Sequence, residues 1–217
     1  MTGKSVLLLD AGLGNIGSVL SALRRHDCSI NHLSTPPSLE STREISHLIL
    51  PGVGSFASGM HKLQANGWVN WLQEVWVPSG KPLLGICLGM QLLATKGSEG
   101  CEDTSFINGL NIIPGTVTQL PRGSNLFLPH VGWNGINWKA DNHPLMKGLP
   151  HDGDMYFVHS FAFQTDDVRH SLACTDYGSP FTSIVSRGLF FGAQFHPEKS
   201  QKLGYTFLSN FLNIFSC

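Results

Sequence analysis

Along the first half of the chain, apolar positions alternate between two patterns. Residues 5–9 form a short apolar run closed by Asp10, as expected of a strand buried on both faces of a parallel sheet. After a glycine-rich turn, Ile16, Val19, Leu20 and Leu23 fall at i, i+3, i+4 and i+7, the stripe of an amphipathic helix. Residues 45–50 repeat the strand pattern and end in Pro51-Gly52-Val53-Gly54. Residues 82–86 repeat it again and lead directly into a helix-period segment over 88–94. Strand, helix, strand, helix is the plan of a doubly wound sheet.

The second half reads differently. Segments 127–138 and 155–163 are rich in aromatics and punctuated by turn residues. Residues 181–185 and 189–195 flank Ser186-Arg187-Gly188 and predict a hairpin. Leu203, Phe207, Leu208, Phe211, Ile214 and Phe215 return to helical spacing. No repeat, low-complexity tract or linker divides the chain. The expectation is one α/β domain over residues 1–217, a doubly wound, mostly parallel sheet with added antiparallel strands in the second half.

Composition narrows the functional classes. At 41% hydrophobic residues with 13% charged, the chain can bury a sizeable core and is not a disordered or collagen-like sequence. Fourteen Lys and Arg against fifteen Asp and Glu give a net charge of -1, which supplies no basic surface for a phosphate backbone. Nucleic acid is not an expected partner. The apolar stretch at the N-terminus, 6–9, is too short for a signal peptide or a membrane span. The five cysteines are odd in number and contain no CxxC pair, against a disulfide framework or a Cys-based zinc site and for a reducing compartment. A cytoplasmic protein is expected, with no membrane association.

Gly12-Leu13-Gly14-Asn15-Ile16-Gly17 matches a dinucleotide fingerprint, but the stretch 29–34, where the second strand should end, holds no carboxylate for a ribose. These glycines read as a tight strand-to-helix turn. The stronger signal is Gly85-Ile86-Cys87-Leu88-Gly89, a buried strand running into Gly-x-Cys-x-Gly and then a helix. It has the shape of a nucleophile elbow with Cys in place of Ser. The sulfur would project at the carboxyl edge of the sheet, facing the positive end of a helix, where a thiolate and an oxyanion are both favoured. Cys28, Cys101, Cys174 and Cys217 read instead as small buried hydrophobes.

A thiolate needs a base. His26, His32, His47, His61, His143, His151 and His170 lie in polar or helix-surface contexts and are expected in solvent, and the absence of an HExxH-type pair argues against a metal site. His196 follows the apolar strand, and Gln194, His196 and Glu198 alternate onto one face. Glu198 can orient the imidazole as the third member of a triad does. The Gly52-Val53-Gly54 turn can supply a second oxyanion donor, or can be an ordinary βα turn.

Three segments, PGVGSF (51–56), GICLGMQ (85–91) and FHPE (195–198), resemble the class I, triad-type glutamine amidotransferases in that order. The resemblance covers essentially the whole chain. DAGLGN (10–15), LPHVGWN (128–134), YFVHS (156–160) and HPEKSQ (196–201) are similar to the glutaminase subunits of imidazole glycerol phosphate synthase within that family. The resemblance implies a flavodoxin-like sheet and glutamine as substrate, with no cofactor or metal. It implies that Cys87 attacks the side-chain amide, that Leu88 and the Gly52–Val53 region hold the oxyanion, and that His196 and Glu198 complete the triad. It places Gln91, Glu99, Ser160 and Phe161 at the amino-acid end of the substrate. It further implies a heterodimer with a (β/α)8-barrel synthase subunit that receives the ammonia, docked at a rim containing Asn15, Trp133 and Lys199. Trp138 reads either as docking surface or as core. Val131 departs from the Met common in these subunits, and Phe161-Ala162-Phe163 from a Tyr-rich stretch. Subunits that deliver ammonia for sugar amidination in surface-polysaccharide synthesis share all these motifs, which leaves the pathway open.

Overall fold

The computed structural model describes residues 3–102, 105–121, 126–139 and 142–215; Cys217 lies outside the described residues. The first half runs β1 (Ser5–Leu9), α1 (Ile16–Leu23), β2 (Ser29–Leu33), α2 (Leu39–Glu44), β3 (His47–Gly52), α3 (Phe56–Ala65), α4 (Trp68–Trp71), β4 (Leu83–Cys87) and α5 (Leu88–Leu92). After two-residue strands β5 (Lys96–Gly97) and β6 (Ile107–Asn108) come β7 (Gly115–Gln119), β8 (His130–Gly135) and β9 (Asn137–Trp138). Then follow β10 (Asp154–His159), β11 (Phe161–Thr165), β12 (Ser171–Asp176), β13 (Pro180–Arg187), β14 (Phe190–Ala193) and α6 (Gln201–Phe211).

The order β2-β1-β3-β4-β14 is parallel throughout, the flavodoxin-like arrangement of a doubly wound sheet. Beyond β14 the sheet turns antiparallel through β13, β11 and β7, and β12 adds to β13 off that path. The expected hairpin is thus present, and its return strand, β14, becomes a parallel neighbour of β4. β8 and β10 form a separate antiparallel ribbon that pairs Trp133 with Tyr156 and His130 with His159. β3 and β4 are buried at every position, which is why they read as unbroken apolar runs. Apolar side chains fill both faces of the sheet, around Trp68, Trp76 and Phe56 on one side and Phe157, Phe195 and Phe207 on the other.

Several boundaries move for local reasons. Ile45 is the C-cap of α2, with its N–H on Thr42 O, so β3 begins at His47. α5 stops at Leu92, where the Leu93 and Ala94 amides turn to carbonyls three residues back. α6 ends at Phe211, and Ile214 and Phe215 lie past it. α2, α3 and α4 were not anticipated individually. No helix among the described residues is long and apolar enough to cross a membrane.

Register decides where chemistry can occur. Gly52 lies opposite Cys87 across β3–β4, and Ala193 opposite Ile86 across β4–β14, so residues 52, 87 and 194 share one row at the carboxyl edge. The crevice beyond that edge, where connections leave to opposite faces, is where open α/β sheets bind ligands. The close packing of α5 onto β3 requires glycine: a Cβ on Gly89 would run into the Leu50 carbonyl, and one on Gly85 would meet the Gly89 backbone at 2.5 Å. Gly89→Ala is expected to destabilise the chain by about 3 kcal/mol through overpacking, read as a lower urea midpoint at unchanged m-value.

Candidate active site

β4 delivers Cys87 to the carboxyl edge, and the chain then turns within one residue into α5. Cys87 has φ 54° and ψ -111°, a conformation that non-glycine residues rarely adopt. The turn keeps the side chain out of the strand row and aims it across the crevice. Sγ lies 3.7 Å from the Val158 carbonyl and 3.8 Å from Gln194 Nε2, which can donate to it.

β14 ends at Ala193, so Gln194, His196 and Glu198 do not alternate along a strand as expected. His196 instead reaches the crevice as the N-cap of a short 3-10 turn, Pro197–Lys199, which carries Glu198. The His196 N–H binds Tyr156 O at 2.9 Å, and Ser200 Oγ donates to the His196 carbonyl at 2.7 Å. The two bonds fix the ring between Cys87 and Glu198. Nδ1 donates to Glu198 Oε1 at 2.8 Å, and the ring lines the same crevice as Cys87. The pair is almost wholly shielded, with side chains 4% and 1% exposed. Burial works against the charged imidazole, but the influence of Cys87 and the bond to Glu198 outweigh it and push its pKa up to about 9.

A crevice of about 440 Å³ opens beside the sulfur, within the range of small-molecule sites. Of the residues expected to bind substrate or oxyanion, Val53, Leu88, Gln91, Glu99 and Ser160 line it. Phe161 stands behind the wall, its carbonyl accepting from Gln91 Nε2 at 2.9 Å. Gln91 Nε2 also donates to Gln194 Oε1 at 3.0 Å, so Gln194 links the crevice floor to the sulfur. Burial raises the Glu99 carboxyl above its ordinary pKa, partly offset by a hydrogen bond to the Phe56 backbone. Gly52 sits in the row beside Cys87, whereas the Val53 N–H points away and donates to Leu13 O at 2.8 Å.

The three rim residues diverge. Trp133 is 48% exposed and meets Tyr156 edge-on, while Lys199 reaches over the Tyr156 ring and lines the crevice. Asn15 turns inward, its Nδ2 3.3 Å from Glu198 Oε1. Trp138, at 6% exposure, is core. Gly12 and Gly14, at φ 71° and 77°, shape the turn before α1 that carries Asn15.

Other single-residue expectations change. His47 is fully buried rather than solvated, between Ser46 Oγ and the Ile214 carbonyl, and it ties the segment after α6 to β3. His26, His143 and His170 are half-buried. Cys28, Cys101 and Cys174 are also only half-buried, since they sit in a turn, a loop and a strand at the margin of the core; among the described residues Cys87 is the buried cysteine. The motif reading gave no role to His130 and His159, which lie under the crevice. His159 Nδ1 donates to Phe161 O at 2.9 Å, so its Nε2 accepts from His130 Nδ1 at 3.1 Å. Burial, with His130 and His196 adding to it, drives the His159 pKa down to about 3 and keeps it neutral. Their positions in PHVGWN and FVHS were the available signal. Among the described residues, no group of three or more His, Cys, Asp or Glu could hold a metal ion.

Residues 7–214 match the family model of class-I glutamine amidotransferases. The chain belongs to that family. This amidotransferase is 49% identical over 215 residues, 98% of each chain, to imidazole glycerol phosphate synthase subunit HisH 1 of Prochlorococcus marinus. It is 41% identical, over 97% of its length and 96% of the relative's, to the HisH subunit of Zymomonas mobilis. Among solved structures it superposes on a glutamine amidotransferase from Thermotoga maritima with a TM-score of 0.60, covering 96% and 82% of the two chains. That likeness, at 18% identity, speaks to the fold alone.

The raised His196 value has a definite sign. The proton bound in the folded amidotransferase stabilises it fully below the unfolded value near 6.5, and the contribution is lost as pH rises through about 9. The His196 ring protons should titrate in NMR with a midpoint near 9. Glu198→Gln, which removes one of the two supports of the imidazolium, should move that midpoint to lower pH.

Proposed function

We propose that this amidotransferase is the glutaminase subunit of an imidazole glycerol phosphate synthase, acting in histidine biosynthesis in the cytoplasm. The observation that carries the reading is the convergence of Cys87 and His196 on the wall of a crevice of amino-acid size, with Glu198 hydrogen-bonded to His196 Nδ1. Near-half identity to a subunit of that synthase over almost the whole chain supports the pathway.

Cys87 sulfur attacks the side-chain amide carbon of glutamine, and the carbonyl oxygen becomes an oxyanion. Leu88, the first residue of α5, offers an amide that has no partner within the helix. His196, charged up to about pH 9, gives its proton to the departing nitrogen as the C–N bond breaks, leaving a glutamyl thioester and ammonia. Neutral again, it takes a proton from water, which attacks the thioester and releases glutamate. Glu198 Oε1 holds the Nδ1–H side throughout and steadies each imidazolium. Gln91, Glu99 and the Ser160–Phe161 backbone receive the amino-acid end of the substrate.

The second oxyanion donor has to come from the Gly52-Val53-Gly54 turn. Its Val53 amide is bound to Leu13 here, so that donor becomes available only when this bond gives way. Gly54, at φ 107°, permits the peptide to rotate. Ammonia set free in neutral water takes up a proton and loses its nucleophilicity, so it has to pass directly to an acceptor site on another polypeptide. A (β/α)8-barrel synthase subunit fills that place, docked on the rim around Trp133 and Lys199.

Cys87→Ala is expected to abolish glutamine hydrolysis, and full retained turnover would overturn the reading. The chain alone should hydrolyse glutamine slowly. Adding the barrel subunit with its nucleotide ligand should raise kcat by ~10²-fold or more with little change in KM, because an oxyanion donor acts only in the transition state. Trp133→Ala should raise the Kd for that subunit by ~10-fold or more in a titration, as loss of a central aromatic anchor does.

A further inference from the structure

The β8–β10 ribbon holds two histidines that the triad does not use. His130 and His159 lie directly opposite one another across it, and both are buried. The His130 ring stacks on Phe157 and on Tyr177, with centroids 5.1 and 4.0 Å away and planes 22° and 25° from parallel. Phe181 packs against both imidazoles. A phenylalanine would fill such a slot as well as an imidazole, so packing alone does not call for a histidine at 130. A polar ring is costly to bury unless its nitrogens are used.

The bonds these nitrogens make have one consistent direction. Phe161 O is a carbonyl and can only accept, so His159 Nδ1 carries the proton of their 2.9 Å bond. Burial keeps the His159 ring neutral, so it has no second proton, and its Nε2 accepts from His130 Nδ1 at 3.1 Å. His159 is thereby pinned at both nitrogens. The carbonyl it holds is held from a second side, where Gln91 Nε2 donates at 2.9 Å. Both lone pairs of Phe161 O are then filled. The other Nε2 proton of Gln91 goes to Gln194 Oε1 at 3.0 Å. With its two amide protons spent, Gln91 can offer the crevice it lines only an oxygen, an acceptor that suits the ammonium of an amino acid.

We propose that His130 is a positioning residue for the amino-acid end of glutamine, acting through His159 on the Phe161 carbonyl that fixes Gln91. The contacts run from His130 to His159, to Phe161 and to Gln91, each a hydrogen bond of 2.9 or 3.1 Å. If the first is removed, His159 Nε2 becomes a buried acceptor without its donor, and the ring is free to turn. The carbonyl then loses one of its two donors, and Gln91 loses its fixed aim. Phe161 is also joined directly to Ser160, which lines the crevice. Cys87, His196 and the Leu88 amide, which act on the reacting amide, stand outside this series. The effect therefore falls on binding and not on the chemical step. The inference rests on the placement of substrate given above.

The test is steady-state glutamine hydrolysis by the full chain, alone and with its barrel subunit, for His130→Phe and His130→Asn. Nitrogen NMR of the unsubstituted chain, labelled at histidine, accompanies it. Both His130 and His159 should carry a proton on Nδ1, with His159 Nε2 bare; either ring protonated on Nε2 alone would overturn the proposal without any variant. His130→Phe keeps the stacks on Phe157 and Tyr177 and removes the donor. Its KM should rise ~10-fold, the scale of one hydrogen bond, with kcat within about twofold. His130→Asn gives up the stacks but returns an N–H near the Nδ1 position, and should recover most of the lost affinity. A histidine that serves packing alone gives the reverse order, with His130→Phe tolerated and His130→Asn impaired. That order, like an unchanged KM in His130→Phe, would overturn the proposal. Gln91→Leu run alongside separates the two levels. If it raises KM while His130→Phe does not, the substrate placement stands and the His130 proposal falls. If Gln91→Leu leaves KM unchanged, the substrate placement fails and takes the proposal with it.

Discussion

The conformation of one residue, Cys87, organises the active site. A strand buried on both sides has nowhere to present a nucleophile except at its end, and a helix that begins immediately afterwards leaves no loop in which to relax. The positive φ at Cys87 carries β4 into α5 with no residue between them. It is tolerated because the neighbours overdetermine it: Gly85 and Gly89 let strand, helix and β3 come together at backbone contact. The strain is local, while the packing that holds it is spread over buried apolar residues on both faces of the sheet. The nucleophile is therefore set by the fold and not by its own hydrogen bonds, which at 3.7 and 3.8 Å are long sulfur contacts.

The other half of the site is built in the opposite manner. His196 and Glu198 lie on irregular backbone, and hydrogen bonds fix them: Tyr156 O, Ser200 Oγ and Asn15 Nδ2 each hold one point of the unit. Each of those partners comes from a different region, the β8–β10 ribbon, the turn into α6 and the loop after β1. The loop after β1 has a further attachment, since Leu13 in it accepts the Val53 amide and Gly12 O accepts Lys62 Nζ at 2.6 Å. Movement of that loop would thus be felt both at the proposed oxyanion peptide and at Glu198.

What could be read from the sequence follows the same division. The parallel strands and the elbow were legible because burial on two faces writes an unbroken apolar run, and a sharp strand–helix junction demands glycine at fixed offsets. Convergence of Cys87 with His196 and Glu198 could be anticipated from chemistry and motif, but the route could not: the alternation of 194, 196 and 198 looked like a strand where a 3-10 turn stands. His47 looked like a surface histidine because its two partners, Ser46 and the Ile214 carbonyl, include one 167 residues away. The inward turn of Asn15 and the buried His130–His159 pair escaped for the same reason. Long-range polar partners leave no period in a sequence.

The position of β14 carries a consequence for the growing chain. β14 inserts beside β4, more than a hundred residues after it, and it completes the row on which the site lies. Until residue 190 has been synthesised, β4 is an edge strand paired with β3 alone, with a cysteine at its tip and no His196 beside it. Contacts of such separation form late and slowly, because the loop they close is long. The reactive thiol is thereby kept without its base until His196, more than a hundred residues further along the chain, has been made.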